Sequence, residues 1–194
     1  MVTRILLIIS LVALCACQNS PRKEYFALNA AVADATTSFG SINIEKVIGI
    51  GPITIPEYLQ HSRVSYWKTP LQLSLQENHY WAEPLEQGIS RVLRLHVQTA
   101  YPQWRVVQFP WSSNQRPSYS IRVDIQRLDA FSDHAVIEAG IDTVDMKTNK
   151  ITASKQFSAR VSSTNNSTDI ARAYSELLQQ LANDINKMPS LANK

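Results

Sequence analysis

The most reactive side chain in the sequence is the thiol of Cys17, which closes the run Leu14-Cys15-Ala16-Cys17. A leucine three residues back, a small residue just before and a terminal cysteine have the form of the bacterial lipobox. The chemistry explains the form: the thiol takes a diacylglycerol as a thioether, Ala16 lets a signal peptidase cut, and the freed amine is acylated. Cys17 is therefore expected to become an N-palmitoyl, S-diacylglycerol cysteine, with residues 1–16 removed as a signal peptide. Arg4 and the apolar stretches Ile5 to Ile9 and Leu11 to Ala16 supply the basic and hydrophobic regions of such a leader. The stretch falls short of the roughly 20 residues that span a bilayer as a helix. The sequence holds 2 cysteines, and Cys15 leaves with the leader. Lipidation of Cys17 then excludes disulfide scaffolding, thiol catalysis and cysteine-rich metal sites together.

Other chemistry is thin. The four histidines, His61, His79, His96 and His134, show no His-x3-His or Glu-x-x-His spacing, and His96 falls on an apolar helical stripe. Gly49-Ile50-Gly51 is followed by Pro52, which lacks the N–H that a phosphate-cradling turn offers. There is no Gly-x-Ser-x-Gly elbow. Glu83 and Glu86 stand three apart at a helix start, where the helix dipole explains them. The expectation is a chain with no catalytic residue, no metal site and no cofactor. Its remaining distinctive residues are aromatic: Tyr58, Tyr66, Trp67, Tyr80, Trp81, Tyr101, Trp104, Phe109 and Trp111.

Periodicity shows what must position them. After Pro84, the residues Leu85, Ile89, Val92, Leu93, His96 and Ala100 recur at helical steps, and Pro102 marks the end. A second helix is expected after the cap candidates Ser167 and Thr168, with Asp169 set against its dipole and Ile170, Tyr174, Leu177, Leu178, Leu181 and Ile185 as its buried stripe. Period-two alternation from Tyr119 to Ile125, from Ala135 to Ile141 and from Ile151 to Val161 predicts three strands joined as antiparallel hairpins. Earlier strands are expected at residues 25–28, 42–50, 64–67 and 105–109, and a loop at 29–42. The fold class is α+β: a single domain with a mostly antiparallel mixed sheet and two amphipathic helices packed on one face, leaving the other face free. The domain is placed at residues 24–187, after a lipidated tether at 17–23 and before a tail at 188–194. The chain has 19 basic and 16 acidic residues. Loss of Arg4 leaves a net charge of +2 with no basic run, so nucleic acid is not expected as a partner.

Specific strings then come into view in order: Tyr25-Phe26-Ala27-Leu28; Ile48-Gly49-Ile50-Gly51-Pro52-Ile53-Thr54-Ile55-Pro56-Glu57-Tyr58-Leu59; Trp81-Ala82-Glu83-Pro84-Leu85; and Arg91-Val92-Leu93. Their order resembles the ABC-type transport auxiliary lipoprotein family. The resemblance implies an outer-membrane lipoprotein on the periplasmic face, a component of an intermembrane lipid transport system. Its implied partner is an MCE-domain (mammalian-cell-entry) protein of a PqiAB-type complex, with lipid as cargo and a homo-oligomer, such as a ring, as the expected working form. Gln18, in place of the aspartate of inner-membrane retention, agrees with outer-membrane sorting. Tyr25, Leu28, Pro56, Tyr58, Leu59, Trp81, Pro84 and Leu85 are the candidate contacts for partner or lipid. Two other functions stay open: a structural envelope lipoprotein that steadies a membrane complex without touching lipid, and a lipid hydrolase with a dispersed site.

Overall fold

The computed structural model describes residues 21–30 and 43–188. The leader, Cys17, Gln18, most of the expected loop at 29–42 and the tail past 188 lie outside the described residues. Alternation does produce the expected meander. Strands β6 (Tyr119–Ala130), β7 (His134–Asp145) and β8 (Lys150–Ser162) pair antiparallel in sequence order. The β7–β8 turn is closed by Asp145, whose carboxylate accepts from the N–H groups of Lys147 and Thr148 at 2.8 and 3.0 Å. Asn149 there takes the left-handed conformation, φ 53°.

The other strands complete two sheets rather than one. A five-stranded sheet has the order β5-β2-β6-β7-β8, with β2 (Asn43–Thr54) parallel to both β5 (Trp104–Gln108) and β6. A three-stranded sheet has the order β1-β4-β3: β1 (Glu24–Phe26) runs parallel to β4 (Gln72–Trp81), and β3 (Arg63–Thr69) antiparallel to it. Strand β4 escapes the sequence reading. Leu73 and Leu75 alternate, but Glu77, Asn78 and His79 break the pattern, most of its residues are half-buried, and Asn78 bends the strand with φ 60°.

Helix α1 (Leu85–Ala100) and helix α2 (Ser167–Ile185) pack on each other and on one face of the larger sheet, α1 against β2 and β5, α2 against β7 and β8. Their apolar stripes meet Ile48, Ile50, Ile121, Val123, Ile125, Ile137 and Ile141 in the core. In α1 the buried stripe includes Val97 and leaves Ala100 exposed. The α2 cap is Asn166, one residue before the expected pair: its side-chain oxygen accepts from Thr168 N–H at 2.9 Å. Ser167 is the first residue inside the helix, and its hydroxyl meets His79 Nδ1 at 2.7 Å. The far face of the larger sheet presents Arg122, Asp124, Gln126, Glu138, Asp142 and Gln156, a polar surface.

The smaller sheet lies beside α2, with contacts from β1 and β3, and β3 also touches β6. A stacked pair, Trp81 on β4 and Tyr174 on α2, joins these layers at 6.0 Å between ring centroids, and the Tyr174 hydroxyl donates to the Leu128 carbonyl at 2.9 Å. Strand β2 is bent where the sequence places Gly51-Pro52, a cis peptide, and its register against β6 shifts between Ile50 and Ile53. Gly51 has φ 114°, and a Cβ there would stand 2.7 Å from Cβ of Phe109, so only glycine fits. The strand ends at Thr54, and residues Glu57–Leu59 form a 3-10 turn.

Candidate interaction site

Three of the four sequence strings meet at one corner. Ala82 N–H donates to the Phe26 carbonyl at 2.8 Å, joining the end of β1 to the end of β4. Glu83, just before α1, accepts from Arg91 Nε at 3.0 Å and Nη2 at 2.5 Å; the same Nη2 also donates to the Leu28 carbonyl at 2.8 Å. Glu83 is thus an ion-pair partner of Arg91 and not mainly a dipole residue. A Cβ at Gly88 would meet Glu83 Oε1 at 3.3 Å and Leu28 Cδ1 at 3.4 Å, so this buried position lies against both. Glu83, Gly88 and Arg91 belong to one face of the α1 start, and together they seat the chain that leaves β1.

Burial divides the eight candidate contacts. Leu28, Leu59, Trp81 and Leu85 are buried in the core. Pro56 and Tyr58 are half-buried, Pro84 is exposed, and Tyr25 is 64% exposed with its ring 5.8 Å from that of Tyr80. The structure therefore brings Tyr25 and Leu28 close to Trp81 through the β1–β4 pairing, while Tyr58 belongs to a different environment.

Tyr58 packs edge-on against Trp67 at 5.7 Å and donates its hydroxyl to Asp129 Oδ1 at 2.8 Å. Asp129 is only 5% exposed. It receives Arg127 Nε on its other oxygen at 2.6 Å, and Arg127 Nη1 also reaches Glu138 at 3.3 Å. Burial, reinforced by the hydrogen bond to Asp129 and by that carboxylate's charge, pushes the Tyr58 hydroxyl well above the usual tyrosine pKa. A buried carboxylate that loses one of its donors leaves an acceptor unsatisfied. Tyr58→Phe is accordingly expected to cost about 1–2 kcal/mol, and Tyr58→Ala about 3 kcal/mol through the added cavity. Denaturant unfolding of the two variants checks the order; equal midpoints for Tyr58→Ala and the parent would remove Tyr58 from the folded framework.

A groove of about 720 Å³ lies between β1 and α2. Tyr25, Phe26, Ala27 and Asn29 form one wall; Thr168, Ala171, Arg172, Ser175, Glu176 and Gln179 form the other. Ala171 and Ser175, one helical turn apart, are small enough for β1 to run alongside. Asn29 N–H donates to Ser175 Oγ at 3.0 Å and pins the chain leaving β1 to α2. At the rim Arg172 is held by Asp169 at 2.7 Å, Glu176 at 3.1 Å and the Ser162 carbonyl at 2.9 Å. Arg172 holds the Asp169 carboxyl below its ordinary range by that hydrogen bond. The groove is mostly apolar inside and charged at its edge, a form suited to an apolar ligand segment.

The family model described as ABC-type transport auxiliary lipoprotein component matches residues 26–186. The chain belongs to this family. Intermembrane transport lipoprotein PqiC of Escherichia coli (strain K12) is 25% identical over 118 residues, 61% of this chain and 60% of that protein. PqiC of Shigella flexneri matches with the same identity and coverage. The chain thus aligns with about three fifths of the length of these relatives. Two crystal structures share the fold. One, of an uncharacterized protein, has a TM-score of 0.68 at 16% identity, covering 86% of this chain and 98% of its own. The other, of protein XCC0632 from Xanthomonas campestris, has a TM-score of 0.65 at 16% identity, covering 84% and 92%.

The auxiliary lipoprotein strings are, in this chain, largely framework: they close the β1–β4–α1 corner and the core under it. Sequence reading missed the α2 wall of the groove. Its signal is present in hindsight as Thr168, Ala171, Ser175 and Gln179, which follow one another at helical steps along the flank of the apolar stripe. It also missed a Ser–His–carboxylate set: His79 Nδ1 lies 2.7 Å from Ser167 Oγ, and His79 Nε2 lies 3.6 Å from Glu24. A hydrolytic triad places the serine on Nε2 and the carboxylate on Nδ1 of its histidine, and here the two ring nitrogens are exchanged. Ser167 is only 1% exposed, so a substrate cannot reach its oxygen, and the set acts as a clasp joining β1, β4 and the start of α2. The auxiliary lipoproteins are not an enzyme family, in keeping with that reading. Among the described residues no group of three or more His, Cys, Asp or Glu side chains could hold a metal.

Proposed function

We propose that this auxiliary lipoprotein is anchored through Cys17 to the periplasmic face of the outer membrane and docks an MCE-domain protein of an intermembrane lipid transport system. The β1–α2 groove is the seat for an apolar segment of that partner. The observation that carries this reading is the groove itself, formed against the edge strand β1, with Tyr25 exposed at its mouth. An edge strand beside an apolar groove can offer backbone hydrogen bonds and side-chain contacts together. The relatives that share a family with the chain are intermembrane transport lipoproteins, which fits a component that delivers apolar cargo without chemistry of its own. Several copies set around a rotationally symmetric tunnel would let weak grooves act together.

A photo-crosslinking amino acid in place of Tyr25, in the full-length protein in cells, tests the assignment. The expected product joins the protein to an MCE-domain partner, while the same group at Ser158, on the polar face of the larger sheet, gives none. Crosslinking at Tyr25 to lipid alone would turn the groove into a cargo site. No product at Tyr25, or equal products at both positions, would remove the groove from docking.

A further inference from the structure

We propose that the tip of the β3–β4 hairpin, Pro70-Leu71, enters the same lipid leaflet that holds the acyl groups of Cys17, so that the domain has a second, non-covalent membrane contact and a set orientation. This rests on the Cys17 anchoring proposed above.

Turns are dominated by Gly, Pro, Asn, Asp and Ser. Pro70 suits this turn, but Leu71 beside it does not, and Leu71 is 95% exposed, the most exposed large apolar residue described. Leu75, on the flank of the same hairpin, is 41% exposed. Gln76 Nε2 donates to the Asn165 carbonyl at 2.6 Å, just before α2, so the hairpin past Gln76 extends beyond the start of that helix.

Topology places the anchor at the same end. Strand β1 is parallel to β4 and enters it with Glu24 opposite His79, so the chain preceding Glu24 runs back towards the start of β4 and the Pro70-Leu71 turn. The Lys23 ammonium stands 5.6 Å from the Tyr80 ring centroid, which holds the last tether residue against the smaller sheet. From His79 back to Gln72 the strand covers at most about 24 Å, less with the bend at Asn78. The seven residue steps from Cys17 to Glu24 reach at most about 25 Å when extended. A Cys17 held in a leaflet can therefore stand level with the hairpin tip. Strand β1, where the tether ends, and the hairpin belong to one three-stranded sheet, which fixes the position of Glu24 relative to the tip. Arg22 and Lys23 on the tether and Lys68 on the hairpin are exposed cations, suited to an anionic leaflet surface.

The test uses the full lipidated protein carrying Leu71→Cys, whose thiol is the reactive one left once Cys15 is removed and Cys17 is acylated. It is labelled with an environment-sensitive fluorophore and reconstituted into vesicles of phosphatidylethanolamine and phosphatidylglycerol containing a nitroxide-labelled acyl chain. A matching Thr148→Cys sample carries the label at the exposed β7–β8 turn, the other end of the larger sheet. The expected result is a blue shift and at least about threefold stronger nitroxide quenching at position 71 than at position 148. Equal quenching overturns the proposal, and so does a blue shift at 71 without nitroxide quenching, which would mean burial against another protein copy. The mass of the same sample reports acylation separately: quenching failure with the acyl mass present rejects the hairpin contact alone, and absence of the acyl mass rejects the anchor with it.

Discussion

Replacing Leu178 by aspartate is expected to unfold the domain or severely destabilise it. Leu178 is wholly buried mid-way along α2, between the larger sheet and the side chains of α1. An aspartate there loses the apolar burial and puts a carboxylate where none of the surrounding core residues can pair with it. The combined cost is about 4 kcal/mol or more, set against a total stability of about 5–15 kcal/mol for an ordinary domain. Gln179, the next residue, faces the groove and is half-buried. Gln179→Asp is expected to change stability by less than about 1 kcal/mol. Thermal melts followed by far-UV circular dichroism compare the pair, and closely similar melting temperatures would mean that the buried face of α2 has been misplaced.

The second large effect is all-or-none. Cys17→Ser is expected to reduce incorporation of a palmitate analogue to background and to leave an unlipidated precursor, because the serine hydroxyl does not replace the thiol that accepts diacylglycerol. Each buried methylene contributes about 0.8 kcal/mol, and one acyl chain holds a protein to a membrane only marginally, so losing the thioether-linked pair removes firm attachment. Gel mobility and membrane fractionation report precursor and release on the same sample. Label at the parent's level in the serine variant would show that the lipobox reading is wrong.

The helices and the β6–β7–β8 meander are legible in the sequence for a simple reason: each buries one face against a single layer, so apolar residues recur at the period of the element. Where an element is covered on both sides the signal fails. Most of strand β4 is half-buried, with β1 and β3 as neighbours, and its polar residues Gln76 and His79 make specific contacts instead of facing water. The division into two sheets was out of reach because β1 pairs with β4 across more than fifty intervening residues, and nothing local records that choice. The candidate site was legible only as strings. Trp81 and Leu85 in a core and Trp81 and Leu85 at a docking surface are the same letters; the structure buries both. The outer face of α2 looked like an ordinary solvated surface because its partner wall, β1, comes from the other end of the chain.

The parallel pairing of β1 with β4 gives the molecule a mechanical property. With the attachment at Cys17 proposed above, tension on the domain would enter through β1, along the strand axis, and load the β1–β4 contacts in shear, so that several bonds resist together. Behind the strand sit two further stops: the grip of Arg91 on the Leu28 carbonyl and Leu28 itself, seated in the core. A pull from a partner would therefore have to slide a strand and unseat a core leucine before it reached the larger sheet, and the helices and the five-stranded sheet would keep their shape while the attachment bore the load.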